Sequence, residues 1–519
     1  MRVDDERPPR GWFGEPGLRG LAQVRARLRG RSGCEVVLEA LEPVDPGLLL
    51  IGAARMLAPT TTDLGPQVTL LPGLPAEAAW FALRTRDVAS PTDRPNRHLR
   101  RSDVVVESLV RGSGHAGARD LADAPDQVGV PEASGADEFP DRARTVVVES
   151  SGVWLVDGVE QLVLLDPSVH RPVGRRSVTT AAIGTAHQDA DSSCLVVQAP
   201  GVSLRAQGNL SGSEVRQLRA ISGLVVPSDL PIRWRVQLQA CGVVLAEPGD
   251  TFPDDDLGWQ VASVQARRRA LRDYGPLQVL SAWPSVSVVL LTHRADFLDH
   301  AIAQLARLDY PRLEIVIGLH GLEVPRERFA SLGDRHGVQI VSLPADLVFG
   351  AAMQAACERA AGDLLTKVDD DDYYGPDHIW DLVLARAYSG APLVGKALDW
   401  IMVEPENVTV FRPEYAAEQY ATFIAGGTML ISQADLRSVG GWRPVPRSID
   451  RALIRRVQME GGLVYRTHGL GYVYVRRAEG HTANARNEHF LTKTAARWPG
   501  LIRHEAFGTD SDAAPEVAR

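Results

Sequence analysis

The sequence predicts an α/β chain, with an open, mainly parallel sheet in its C-terminal half and a β-rich region before it. Three observations predict this. Between residues 286 and 368 the runs follow the order strand, helix, strand, strand, helix, strand. The strand runs, "VSVVLLT", "LEIVIGL", "VQIVSL" and "DLLTKV", are nearly continuous in apolar residues, as strands buried on both faces are. The last of them runs into four aspartates, Asp369 to Asp372, and ligands of open parallel sheets bind beyond the carboxyl ends of the strands.

Taken in order, residues 1–110 form a β-containing N-terminal region, with short runs such as "CEVVLEAL", "QVTLLPGL" and "DVVVESLV". Residues 111–144 are small, polar and charged, and read as a flexible linker or insertion. Residues 145–275 read as a β-rich accessory domain, including "SCLVVQAP" and "IRWRVQLQACGVVLAE"; Asp157-Gly158 marks a hairpin. The helical stretch "LGWQVASVQARRRALRDYG" closes that region near Gly275. Residues 276–505 form the main α/β domain, and 506–519 a disordered tail. In the main domain Leu298, Ile302 and Leu305 repeat at helical spacing before Pro311, and "GAAMQAACERAAG" is a small-residue helix ended by Gly362. Pro376 suits the first turn of the helix that follows the aspartates.

Several function classes drop out on composition. The net charge of −9 argues against bulk attraction to nucleic acid or to an anionic membrane, although Arg267, Arg268 and Arg269 form a local basic run. The four cysteines, Cys34, Cys194, Cys241 and Cys357, are scattered and include no C-x-x-C pair, so neither a disulfide framework nor a zinc site is expected and the setting reads as cytoplasmic. No run approaches the roughly 18 apolar residues that span a bilayer. Peripheral association with a membrane stays open. A lone loop histidine, His170, reads as structural or exposed.

Four adjacent carboxylates repel one another unless water screens them or a cation sits among them. An exposed acidic turn meets the first condition; a site for a hard divalent cation meets the second. Their place at a strand end favours the site. In extended chain Asp369 and Asp371 would share one face, with Asp370 and Asp372 opposite.

From residue 284 to about 490 seven stretches come in order: "LLTHRADFL", "LARLDYPRLEIVIGL", "FGAAMQAACERAAGD", the D-x-D stretch "KVDDDDYYGPDHI", "IAGGTMLISQADLRSVGGWRP", "RSIDRALIRRVQMEGG" and "YRTHGLGYVYVRRAEGHT". Together they resemble the catalytic domain of a family 2 glycosyltransferase with the A-type fold. The resemblance implies transfer of a sugar from a nucleotide-diphosphate sugar to the hydroxyl of a glycan or other acceptor, with manganese or magnesium as cofactor. It implies Asp450 as catalytic base; Asp369, Asp371 and His481 as metal ligands, with Asp372 ligating or bracing; and Thr292, His293, Arg294, Lys367, Asp369 and Asp370 near the donor nucleotide. Gly426, Gly427, Thr428 and Trp442 would line the sugar and acceptor region. The chain departs from the family at His320 and Gly321, where an acidic turn is usual, at Gln354 in place of an asparagine, and at Ile449 in place of the glutamate before the base. The first departure leaves the donor base open. A degenerate domain that binds glycan or a partner is the alternative; a nucleotidyltransferase fits less well, because "THRADFLDH" lacks the glycines of a phosphate loop.

Overall fold

The computed structural model describes eight strands between residues 24 and 161, and residues 182–274, 283–477 and 487–509 apart from 191–193, 209 and 334. The chain divides into two compact units, one holding the strands up to Gln161 and the other holding everything described from residue 182 onward. His170, His481 and most of the predicted linker lie outside the described residues.

The first unit is one sheet. Its strands are β1 (Val24–Arg29), β2 (Glu35–Ala40), β3 (Gln67–Leu70), β4 (Trp80–Arg84), β5 (Val105–Leu109), β6 (Arg144–Val148), β7 (Trp154–Val156) and β8 (Val159–Gln161), in the order 1-2-4-5-3-6-7-8. The hairpin expected at Asp157-Gly158 corresponds to antiparallel β7 and β8, with Val156 opposite Val159.

The second unit opens with a small sheet of β9 (Ile183–Gln188), β10 (Leu195–Ala199), β11 (Val202–Ala206), β12 (Gly223–Val225) and β13 (Val244–Ala246), in the order 11-10-9-12-13. Helices α1 (Gly212–Leu218), α2 (Ile232–Ala240) and α3 (Asp256–Tyr274) accompany it. The run "IRWRVQLQA" is therefore a helix and not the strand its alternation suggests. Trp234, Val236, Leu238 and Ala240 are buried in period two, but Gln237 between them is buried as well, and its Oε1 accepts from the Leu210 amide at 2.6 Å. A buried glutamine with a backbone partner fills the position that a strand would turn to solvent.

The main sheet contains β14 (Val286–Thr292), β15 (Leu313–His320), β16 (Gly337–Leu343), β17 (Leu364–Val368), β19 (Leu393–Lys396), β22 (Gln419–Tyr420), β23 (Leu430–Ser432) and β24 (Val464–Thr467), in the order 16-15-14-17-23-19-24-22. Strands β16, β15, β14 and β17 are parallel; β23 runs antiparallel between β17 and β19. Every residue of β14 is buried. Val286, Val288 and Leu290 point into one core, and Val289 and Leu291 into a second on the other face. The first core takes in α4 (Leu298–Ala306) and α6 (His378–Ser389); the second takes in α5 (Phe349–Cys357) and α7 (Ile449–Met459). This is the α/β layering that the apolar runs predict.

A second sheet, β18 (Tyr373–Tyr374), β25 (Tyr472–Arg476), β20 (Trp400–Val403), β21 (Val408–Phe411) and β26 (Ala496–Pro499), lies beyond the aspartates in the order 18-25-20-21-26. Three boundaries differ from expectation. Helix α5 is capped at Glu358, while Gly362 packs so tightly on β14 that a β-carbon would lie 2.7 Å from the Ser287 amide nitrogen. Helix α6 begins at His378 with Asp377 at its N-cap, so Pro376 precedes it. The tail is packed as far as Thr509: Phe507 is fully buried against Trp400, with ring centroids 4.9 Å apart.

Candidate active site

The switch point of the main sheet lies between β14 and β17, because the chain reaches β15 and β16 on one side of β14 and β17 on the other. Loops leave the two carboxyl ends in opposite directions there, and in open α/β sheets such a point is where the ligand crevice lies. Thr292 and Arg294 leave β14, and the four aspartates leave β17.

The aspartates do not continue as extended chain. Residues 370 and 371 form a turn, and the expected alternation of faces fails: Asp370 and Asp371 both pair with Arg294. Asp370 is 4% exposed, accepts from Thr292 Oγ1 at 2.5 Å and from Arg294 Nε at 3.1 Å, and makes a second, closer contact with Arg294 Nη2. Asp372 turns inward. Its carboxylate accepts from Tyr472 Oη at 2.7 Å and from the Val475 amide at 2.9 Å, so it braces the loop against β25. Burial, with Asp371 and Asp369 nearby, pushes the Asp372 carboxyl well above its ordinary range. His300 supports the same turn through Nε2, 2.9 Å from the Asp372 carbonyl oxygen.

Asp369 is the most open of the four, with 36% of its side chain exposed. Lys367, buried on β17, donates to its Oδ1 at 2.5 Å and stands 3.6 Å from Asp450 Oδ1. It is not the solvent-facing charge that a strand lysine can be. Burial alone would lower its pKa, but Asp369 and Asp450 outweigh that and hold it charged. Asp450 lies in the first turn of α7, just after Ser448, whose backbone is left-handed at φ 60° and ψ 32°. Asp450 Oδ1 has no hydrogen-bond partner, since 3.6 Å is beyond hydrogen-bond reach. Crowding by protein atoms pushes the Asp450 carboxyl up; Lys367 opposes this and Asp369 adds to it. The 32% of its side chain still open to water limits the rise.

Gly426 and Gly427 pass between these carboxylates. A β-carbon on Gly426 would lie 2.4 Å from Asp450 Oδ2, and one on Gly427 would lie 2.8 Å from both Asp369 Oδ2 and Tyr374 Oη. Tyr374 fastens the two strand ends: its hydroxyl receives the Asp369 amide at 2.8 Å and donates to the Gly427 carbonyl at 3.0 Å.

Two expected acceptor residues are not available there. Trp442 is 5% exposed, with its indole nitrogen donating to Cys357 Sγ at 3.2 Å, so it is core and offers no face to a sugar. The Thr428 hydroxyl is fully buried between the Lys396 amide and the Ala425 carbonyl. His293 is exposed at the end of β14, with its ring 6.5 Å from that of His320. At the departures from the family pattern, His320 Nε2 lies 2.8 Å from the Leu347 carbonyl, Gln354 Oε1 takes the Trp442 amide at 2.7 Å, and Ile449 is buried in the second core. The sequence reading missed Tyr374, Tyr472, His300, Phe297 and Arg477. Of these, only the tyrosine pair directly after the aspartates carried a local signal.

Among the described residues, no group of three or more His, Cys, Asp or Glu side chains is placed to hold a metal ion. Asp369 and Asp371 carry hard carboxylate oxygens, the donor type that magnesium and manganese take, and the two face different partners, Asp369 meeting Lys367. Asp371 Oδ2 currently faces cations of the chain itself, Arg294 Nη1 at 3.0 Å and Arg477 Nε at 3.7 Å.

Residues 287–391 match the family model described as Glycosyl transferase family 2. No curated protein matches the chain. Solved structures similar to it include S. aureus TarS, at 13% identity and a TM-score of 0.30 over 37% of each chain. Another is the mannosyltransferase PcManGT from Pyrobaculum calidifontis, solved with GDP-Man and Mn2+, at 16% identity and a TM-score of 0.31 over 38% of this chain and 58% of that one. A third is residues 1–349 of S. aureus TarS with UDP-GlcNAc, at 14% identity and 0.31 over 39% of this chain and 61% of that one. The chain thus covers between about a third and three fifths of the proteins it matches.

Proposed function

We propose, from the match of residues 287–391 to glycosyl transferase family 2, that this protein moves a sugar from a nucleotide-diphosphate sugar to an acceptor hydroxyl with inversion at the anomeric carbon. One observation carries the reading: Asp369 and Asp450, from different elements, share Lys367 and both abut the Gly426-Gly427 turn. A carboxylate for the donor and a carboxylate for the acceptor then lie on either side of one narrow passage.

In this reading the acceptor oxygen attacks the anomeric carbon, the bond from that carbon to the diphosphate oxygen breaks, and the nucleoside diphosphate leaves. The acceptor proton passes to Asp450, whose Oδ1 lacks any hydrogen-bond partner. Thr292, His293 and Arg294 line the nucleotide side at the end of β14. A divalent cation, manganese or magnesium, when bound, offsets negative charge on the leaving diphosphate. Asp371 and Asp369 would hold it, with His481 as the proposed late ligand. The acceptor is a growing polysaccharide or other glycoconjugate, met in the cytoplasm or at the inner face of a membrane. Among the described residues no helix is long and apolar enough to cross one.

Asp450→Asn tests the base. The variant should bind nucleotide as wild type does while its transfer rate falls about 10²–10⁴-fold. An unchanged rate overturns the assignment, and a product of retained configuration contradicts the single displacement.

A further inference from the structure

Arg294 follows β14 and Arg477 follows β25, yet both guanidinium groups stack on one ring. Their central carbons lie 4.4 and 4.5 Å from the centroid of Phe297. Both also reach one oxygen, Asp371 Oδ2, at 3.0 and 3.7 Å. Arg294 further engages Asp370, and Arg477 donates to Glu404 Oε1 at 2.5 Å. Their side chains are 25% and 12% exposed, so the charges are partly desolvated.

Two guanidinium groups repel each other, more strongly where water is partly excluded. They stay together here because an anionic oxygen lies between them and an aromatic face lies beneath them. The planar fork of arginine matches phosphate oxygens in pairs, and stacking fixes that plane before any ligand arrives. Asp371 is also one of the two carboxylates proposed above to hold the divalent cation. A cation on Asp371 would take away the one oxygen the two arginines share, leaving Arg294 with Asp370 and Arg477 with Glu404, and would add two positive charges beside them. A multiply charged anion reaching the cation and both arginines restores the balance, and a diphosphate has that shape and charge.

We propose that Arg294 and Arg477, fixed on Phe297, receive the diphosphate of the donor, and that Asp371 holds their place until it arrives. Divalent cation and diphosphate then bind cooperatively. This inference rests on the proposed function and assigns Arg477 and Phe297 a part in it.

Calorimetric titration of the full chain tests it, with the diphosphates of uridine, guanosine, adenosine, cytidine and thymidine, the matching nucleosides, and manganese, alone and in combination. Wild type should bind one diphosphate about tenfold more tightly with manganese than without, and manganese should gain the same factor from the diphosphate. Arg477→Met should weaken diphosphate binding about tenfold, leave nucleoside binding unchanged and shrink the coupling. Arg477→Lys, which keeps the charge and loses the planar stack, should fall between. If Arg477→Met melts with wild type and binds diphosphate as tightly, the inference falls and the proposed function stands. If wild type binds none of the diphosphates, both fall. Should Arg477→Met fail to fold, Phe297→Leu decides on the same criteria, since leucine keeps an apolar support and removes the aromatic face.

Discussion

Gly426 has no room for a β-carbon, because the Asp450 carboxylate occupies that space at 2.4 Å. The obstacle is the end of a side chain and can rotate away, so Gly426→Ala is expected to fold. It would do so by displacing the group assigned as base. We expect a melting temperature within a few degrees of wild type and a transfer rate at least about tenfold lower, since a base shifted by about an ångström loses its alignment. Kinetics and thermal melting on the same sample check this; full activity would mean that Asp450 is not the base in its present position. Gly427 imposes the same geometry on the Asp369 side, where Tyr374 Oη and Asp369 Oδ2 leave no space. At this scale the sequence reading named most of the residues and misjudged some environments. Lys367 lies between Asp369 and Asp450, while Asp371 faces Arg294 and Arg477, and Trp442 and Thr428 are core. A tryptophan in a glycine-rich loop looks the same in sequence whether it faces a sugar or Cys357.

Helix α3 shows the same limit for a whole element. "RRR" at 267–269 reads as a basic surface run, yet Arg267 and Arg268 are 6% and 7% exposed. Arg267 pairs with Glu418 at 2.9 Å; Arg268 pairs with Asp381 at 2.8 Å and Asp377 at 2.6 Å. Their partners lie more than a hundred residues away, and no local pattern could reveal them. Lys396 completes the cluster at 2.6 Å from Asp381. Burial would push the pKa values of Glu418 and Asp381 up, but Arg267 for the first, and Arg268 with Lys396 for the second, hold both below the ordinary carboxylate range. The folded pKa values are therefore depressed relative to the unfolded chain. Their contribution to stability is complete above about pH 4.5 and is lost as pH falls toward the folded values. Arg268→Met leaves Asp381 buried with one cation fewer and should cost about 3 kcal/mol at neutral pH. Denaturant melts from pH 3 to 7 should show a flatter acid limb in the variant. A loss below about 0.5 kcal/mol, as for an exposed pair, would contradict this account. A truncated chain beginning at residue 276 would strip both arginines from buried acids, so an isolated catalytic fragment must keep α3.

For the whole molecule, the main sheet was legible because its strands are buried on both faces. The continuous apolar runs predicted β14 in full and β15, β16 and β17 to within a residue or two. Region 182–274 was less legible. Period-two burial in α2 imitates a strand. That the four aspartates follow a central strand was legible from the apolar run before them; the turn that brings Asp370 and Asp371 onto one arginine was not, because it depends on a residue 76 positions away. The central claim is that the strand-end cleft binds a nucleoside diphosphate with a divalent cation on Asp371. Calorimetric titration of a panel of nucleoside diphosphates, with and without manganese, on wild type and Asp371→Ala tests it most directly. The account predicts that one nucleotide binds wild type in a manganese-dependent way and that Asp371→Ala loses the dependence. A folded wild-type chain that binds no nucleotide under either condition would contradict it and favour a degenerate, non-catalytic binding domain.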